Sequence, residues 1–265
     1  MNFFIESCKR NPDVRWRFYT DCAQPENRAA NVDFVPISFE DYKAVARARI
    51  GTTFDPVQPY KVCDLRPALG LIHEPDIAGY PFFGYGDIDV IYGDISRFYG
   101  ERQFADVDVV STHTNRLSGH FAVLRNKADI RHAFERIPDY RMRLEAPDYS
   151  HVDEIPFAEV FWKSIAERSL FRERNSTILS KRGWHDGTMN YPQRWFWRNG
   201  RLTNDRDGDR EFLYLHFMRW QSARWINDPP QPGEAAWVGR DIIHVDWRQG
   251  AANGFCISPQ GFTPI

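Results

Sequence analysis

The segment Gly84-Tyr85-Gly86-Asp87-Ile88-Asp89-Val90-Ile91-Tyr92-Gly93-Asp94 constrains this chain most, because it sets two carboxylates one residue apart inside an apolar stretch with strand character. In an extended strand residues i and i+2 share a face. The pattern therefore predicts Asp87 and Asp89 side by side, with Ile88 turned back into the core. Two anions so placed repel each other, and partial removal from water adds a desolvation cost, so a positive group is expected between them. A divalent cation held through oxygens, Mg²⁺ or Mn²⁺, meets that demand and commonly holds substrate phosphates as well.

The rest of the chain can bury such a segment. Its 265 residues are 42% hydrophobic, enough for one large domain or one domain with an appended lobe. Lys and Arg number 34 against 36 Asp and Glu, a formal charge of −2, so there is no global basic field and nucleic acid is disfavoured as a partner. Apolar runs are short and interrupted, and the first ten residues lack the length and cleavage pattern of a signal peptide. The expectation is a soluble, cytoplasmic protein with no transmembrane segment. Cys8, Cys22, Cys63 and Cys256 form no C-x-x-C pair and read as buried free thiols. Aromatic residues reach 15%, with nine Trp concentrated largely after residue 160, which offers flat amphipathic surfaces for core packing, an interface or ligand stacking.

Early segments alternate in type, as in a layered α/β domain. Residues 2–10 read as the end of a helix and residues 14–20 as a strand ending at Asp21. Ser38, with Asp41 three positions on, predicts a helix N-terminus and a helix to about Ile50. Residues 59–70 read as helical, with Pro67 kinking the helix or starting a second one. Strands are expected at 105–112 and 120–125, helices at 127–137 and 155–168, and a strand at 176–179. Asn199-Gly200 marks a hairpin over 194–202, and the apolar run 212–218 is a further strand. A weak boundary near 148 divides the chain into 1–147 and 148–265.

Taken together, Tyr60-Lys61-Val62-Cys63-Asp64-Leu65-Arg66-Pro67-Ala68-Leu69-Gly70, the acidic segment, Leu117-Ser118-Gly119-His120-Phe121 with Arg125-Asn126, and Leu215-His216-Phe217 resemble a family of bacterial polysaccharide-biosynthesis glycosyltransferases of the GT-A type. Such proteins occur among capsule and lipopolysaccharide O-chain genes. The resemblance spans roughly residues 3 to 220. It implies a mostly parallel twisted sheet with helices on both faces, plus an aromatic-rich C-terminal lobe, and a metal-binding Asp-x-Asp motif at a central strand end. Family members usually begin with a hydrophobic strand that supplies nucleotide-base contacts. On the resemblance, the sequence as given is expected to lack that first strand, which would weaken donor binding and leave a sheet edge open.

On this resemblance Asp87 and Asp89 are the Asp-x-Asp pair, Asp89 meeting the metal and Asp87 the metal or the sugar-nucleotide ribose. His216 resembles the histidine that returns to the metal or diphosphate, tilting the ion from Mg²⁺ toward Mn²⁺, with a satisfied core histidine as the alternative. The donor is a nucleotide-diphosphate sugar, UDP-, GDP- or dTDP-linked, and the acceptor a polysaccharide or glycolipid. A glycolipid acceptor would bring the protein peripherally to the inner face of the membrane. Asp153 or Glu154 is the candidate base for inverting transfer, with stabilisation of a helix N-terminus as the alternative. Ser118, Gly119 and His120 form either a loop beneath the donor sugar or acceptor, or a plain turn into a strand. Lys61, Asp64 and Arg66 contribute to donor binding or form a salt-bridged helix face. Asp21 holds the ribose or base, or caps a loop. Asp94 is read as an N-cap outside the metal shell. Trp184, His185 and the Trp195/Trp197 pair are candidates for an acceptor groove.

Two other functions compete. A nucleotidyltransferase or phosphohydrolase would also use paired aspartates and a divalent ion, although no glycine-rich loop with P-loop spacing is present. A catalytically silent carbohydrate- or nucleotide-binding protein would retain the fold without turnover.

Overall fold

In the computed structural model, residues 1–100, 104–105, 107–112, 116–162, 194–216, 243–258 and 261–265 are described. The first half runs α1 (Asn2–Lys9), β1 (Trp16–Thr20), β2 (Val32–Pro36), α2 (Phe39–Ile50) and a 3-10 helix (Pro59–Ala68) continuing into α3 (Leu69–Ile72). Next come β3 (Phe82–Gly86), β4 (Val90–Tyr92), β5 (Val109–Ser111), β6 (Phe121–Arg125), α4 (Ala128–Arg131), α5 (Tyr140–Glu145) and α6 (Ile155–Trp162). The remainder comprises β7 (Trp195–Arg198), β8 (Arg201–Asn204), β9 (Tyr214–His216), β10 (Ile243–His244), α7 (Trp247–Asn253), β11 (Phe255–Ser258) and β12 (Gly261–Pro264).

Local chemistry explains several boundaries. The Ser38 hydroxyl accepts from Asp41 N–H at 3.1 Å and donates to the Asp41 carboxylate at 2.7 Å, which fixes the start of α2. Asn199 and Gly200 both have positive φ, 51° and 86°, the geometry of a tight hairpin between β7 and β8. Asp94 caps a short 3-10 helix (Ile95–Arg97) through Ser96 N–H. The 3-10 geometry before Pro67 differs from the expected helix because proline cannot donate the bond that a continuous α-helix requires. Helix 155–168 is seen as α6, its remainder lying outside the described residues together with the expected strand 176–179.

The sheets differ from the mostly parallel arrangement expected. β1–β2 and β10–β12 are parallel pairs, whereas β3–β6–β5, β4–β9, β7–β8 and the β7–β11–β12 ladder are antiparallel. The links from β5 to β6, β7 to β8 and β11 to β12 are too short for the helical crossover that parallel neighbours need. The class is mixed α/β.

The acidic segment is also two strands rather than one. β3 ends at Gly86 and pairs with β6, and β4 begins at Val90 and pairs with β9. The chain changes sheet across Asp87-Ile88-Asp89, and that bend turns Ile88 outward, 54% exposed, instead of into the core. β4 itself is covered on both faces. Val90 and Tyr92 pack with Phe4, Ile5, Phe121 and Tyr214, whereas Ile91 packs with Trp195, Trp197, Leu215 and Phe255. Burial on both faces is what a continuous apolar run encodes.

A further cluster joins α2, the 3-10 helix, β3, β6 and α4 to α6 through Phe54, Leu65, Tyr85, Leu124, Phe134 and Phe157, so its residues lie on both sides of 148. Trp195 and Trp197 are fully buried and belong to the core, not to a groove. Trp197 stacks on Phe255 and donates its indole N–H to the Tyr92 carbonyl at 2.9 Å. All four cysteines are free, with Cys8 and Cys256 buried, Cys63 half-buried and Cys22 exposed. Among the described residues, no helix is long and apolar enough to cross a membrane.

Candidate metal centre

Where β3 leaves its sheet and β4 enters the next, three side chains converge. Asp87 follows β3 and its N–H donates to the His120 carbonyl at 3.2 Å; Asp89 immediately precedes β4; His216 ends β9 opposite Val90. Ligand atoms of Asp87, Asp89 and His216 all lie within 4.8 Å of one another. His216 Nε2 is 3.5 Å from Asp89 Oδ1 and 3.8 Å from Asp87 Oδ2, too far for hydrogen bonds to either. The ring is 3% exposed, and among the described residues neither nitrogen has a hydrogen-bond partner. Buried polar atoms are rarely left so, and the arrangement of two carboxylates and one imidazole suits Mn²⁺ or a similar divalent ion. Asp87, Asp89 and His216 are the residues that would hold it.

The imidazole is backed rather than bare. His120 stacks on His216 with centroids 4.1 Å apart, and His120 Nε2 lies 2.7 Å from the Tyr214 hydroxyl, which in turn is 2.5 Å from Thr112 Oγ1. This corrects the expectation that His120 reaches a sugar: the ring is buried and fixes the orientation of His216 instead. Tyr214 was missed in the sequence, although it precedes His216 by two residues and therefore shares its strand face.

Arg66 links the cluster to a second acidic pair. Its guanidinium bonds Asp87 Oδ1 through one nitrogen and Asp153 Oδ2 at 2.8 Å through the other. Gly119 allows that position, since a Cβ there would lie 2.6 Å from Arg66 Nη1 and 3.4 Å from Asp153 Oδ2. The close approach expected at Gly119 is thus made by a guanidinium. Ser118 is buried, its N–H bonded to Ser111 Oγ at 2.9 Å, and among the described residues its hydroxyl has no hydrogen-bond partner.

Asp153 is corrected as a base. It is fully buried, with Oδ1 accepting from the Tyr149 hydroxyl at 2.6 Å and Oδ2 from Arg66, so both oxygens are occupied. Glu154 is placed differently. Its side chain is 39% exposed, Arg116 Nε lies 3.6 Å away, and its carboxyl is raised above the ordinary value by burial first, lowered by Arg116 and raised again by Asp153. Asp87 is also raised, chiefly by burial, with Arg66 opposing and Asp89 adding to the shift. Among the described residues, the arginines paired with these carboxylates are Arg66, on Asp87 and Asp153, and Arg116, beside Glu154, while Asp89 meets only the His216 ring, an excess of negative charge that a cation would offset.

Lys61 and Asp64 are corrected from donor binding to internal structure. They form a 2.8 Å ion pair with both side chains at 0% exposure. Lys61 Nζ donates to the Arg143 carbonyl at 2.6 Å and Ser150 Oγ at 3.1 Å, which with Asp64 uses all three of its protons. Asp64 accepts from Ser150 N–H and Val152 N–H at 2.7 and 3.0 Å. Asp21 is exposed after β1, and its one described contact is the Cys22 thiol at 3.8 Å, remote in sequence and bonding from the cluster. Trp184, His185 and Phe217 lie outside the described residues.

Residues 1–244 match a family of unknown function (DUF6625), and the chain belongs to that family. No curated protein and no solved structure matches it.

Proposed function

We propose that this family member is a metal-dependent glycosyltransferase of GT-A type, which moves a sugar from a nucleotide-diphosphate donor to a polysaccharide or glycolipid acceptor with inversion. The observation that supports the reading most is the buried His216 imidazole, which makes no hydrogen bond among the described residues and faces Asp87 and Asp89. The ordered likeness of the Tyr60–Gly70, Gly84–Asp94, Leu117–Phe121 and Leu215–Phe217 segments to polysaccharide-biosynthesis transferases adds the sugar to what would otherwise be a metal-and-phosphate site.

When bound, Mn²⁺ or Mg²⁺ would offset the negative charge that grows on the departing diphosphate. The protein's own groups have separate tasks. Glu154, reachable from solvent, takes the proton of the acceptor hydroxyl when it is ionised. Arg66 holds Asp87 Oδ1 and leaves Oδ2 facing His216 and Asp89. Asp153, fixed by Tyr149, keeps Arg66 in that position.

The test is a titration of UDP-, GDP- and dTDP-sugars with and without Mn²⁺, followed by thermal shift and by release of nucleotide diphosphate. Stabilisation by one nucleotide class that requires Mn²⁺ supports the assignment. Nucleotide release by Asp89→Ala at the wild-type rate would sink it, and release of inorganic phosphate instead of nucleotide diphosphate would favour a phosphohydrolase.

A further inference from the structure

Beside the carboxylate cluster stand three aromatic rings whose faces have no part in the proposed transfer, although the Tyr149 hydroxyl holds Asp153. Tyr60, second residue of the 3-10 helix that carries Arg66, is 61% exposed. Its ring meets Tyr149 edge-to-face, with centroids 5.1 Å apart and planes at 83°. Tyr149 lies in turn 4.0 Å from the ring of His151, tilted by 50°. His151 is exposed and has φ of 54°, a left-handed conformation that side chains other than glycine adopt at a cost and keep only where their surroundings impose it.

Those surroundings are the buried Lys61–Asp64 pair. Asp64 takes the N–H groups of Ser150 and Val152, on either side of His151, and Lys61 takes the Ser150 hydroxyl and the Arg143 carbonyl. A buried ion pair thus pins the loop 148–153 onto the helix that bears Tyr60, and holds His151 outward. Core packing does not account for it, because two of the three rings face solvent.

The rings are also connected to the cluster. The Tyr149 hydroxyl donates to Asp153, Arg66 donates to Asp153, and Arg66 donates to Asp87, so three hydrogen bonds join the aromatic wall to the candidate metal ligands. The Tyr60 hydroxyl is raised above its ordinary value by partial burial first, then by Cys63, with the charges of Arg66, Asp153 and Asp87 also felt.

We infer that Tyr60, Tyr149 and His151 form a stacking platform for a pyranose ring of the acceptor, next to the Asp87–Asp89–His216 site; this rests on the glycosyl-transfer reading. Tyr60 and Tyr149 stand nearly at right angles and form a corner. A puckered sugar ring can lay its C–H face on one aromatic ring and turn its hydroxyls outward, whereas a flat nucleobase is best gripped by parallel faces. Glu154, one residue beyond Asp153 and half-exposed, supplies a carboxylate for a hydroxyl presented from that corner.

Saturation-transfer NMR with methyl pyranosides of glucose, galactose, mannose, rhamnose, N-acetylglucosamine and glucuronic acid tests this, using wild type, Tyr60→Ala, Tyr60→Trp and His151→Ala. At least one pyranoside is expected to receive saturation at its ring C–H protons. Tyr60→Ala should weaken it about tenfold, and Tyr60→Trp should retain it, as stacking requires. Mn²⁺ binding by electron paramagnetic resonance and nucleotide-induced thermal shifts should not change in these variants. The platform is overturned if no pyranoside binds wild type, if Tyr60→Ala binds as wild type does, or if that variant loses nucleotide instead of pyranoside. Absence of Mn²⁺ binding in wild type with pyranoside binding intact would overturn the metal reading alone.

Discussion

His216 Nε2 stands 3.5 Å from Asp89 Oδ1, and among the described residues no hydrogen bond satisfies either nitrogen of that buried ring. Leaving such a group without a partner costs about 1–3 kcal/mol, so binding of a cation should register in stability. Mn²⁺ at 100 times its dissociation constant is expected to add about 2.7 kcal/mol. Differential scanning fluorimetry with and without a chelator reads this directly, and Asp89→Ala and His216→Ala should each abolish the shift.

Gly119→Ala should disturb the site more than the fold. The added methyl would meet Arg66 Nη1 at 2.6 Å, and the guanidinium has little room to yield because Asp87 and Asp153 hold it from two directions. A stability loss of about 1–3 kcal/mol is expected from overpacking. Mn²⁺ affinity should fall as well, measured by calorimetry, since Asp87 loses its fixed orientation. A variant with wild-type affinity would show that Arg66 does not position Asp87.

Breaking the Lys61–Asp64 pair should be severe. Lys61→Met leaves a buried carboxylate with two backbone donors and no counter-ion, at a cost of about 3–5 kcal/mol. Urea denaturation measures it. The double variant Lys61→Met/Asp64→Leu should recover part of the loss, because no charge is then stranded.

The pH dependence of transfer should carry the mark of Glu154. Burial raises its carboxyl above the ordinary glutamate value of 4.5, and Arg116 only partly opposes that. A base works when ionised, so the rate should rise with pH through the raised value and fall off at higher pH than an exposed glutamate would give. Glu154→Gln should reduce transfer by about 10²–10⁴-fold and remove this acid limb. An unchanged limb in that variant would assign the proton to another group.

Local features were legible in the sequence because they depend on near neighbours. The Ser38 cap, the Asn199-Gly200 turn and the Asp94 cap each follow from residues within three positions of one another. The grouping of Asp87, Asp89 and His216 was expected from a resemblance, whereas the strand alternation that set both aspartates on one face does not hold across the change of sheet. Pairing was not legible: nothing near Asp87 reveals that β3 and β4 enter different sheets, because that choice depends on β6 and β9, dozens of residues away. The same limit misassigned Lys61, Asp64 and Asp153. Charged side chains in a motif look alike whether they meet a ligand or a backbone amide, and only burial separates the two.

The step between sheets across Asp87-Ile88-Asp89 has a mechanical consequence. Asp87 is carried by β3, and Asp89 and His216 are carried by the β4–β9 pair, so the spacing among the three groups records how one sheet sits against the other. An ion clasped there would act as a rivet between two separately hydrogen-bonded ladders. Conversely, a substitution that shears those ladders by a fraction of an ångström changes the bite of the site without touching any of its three side chains.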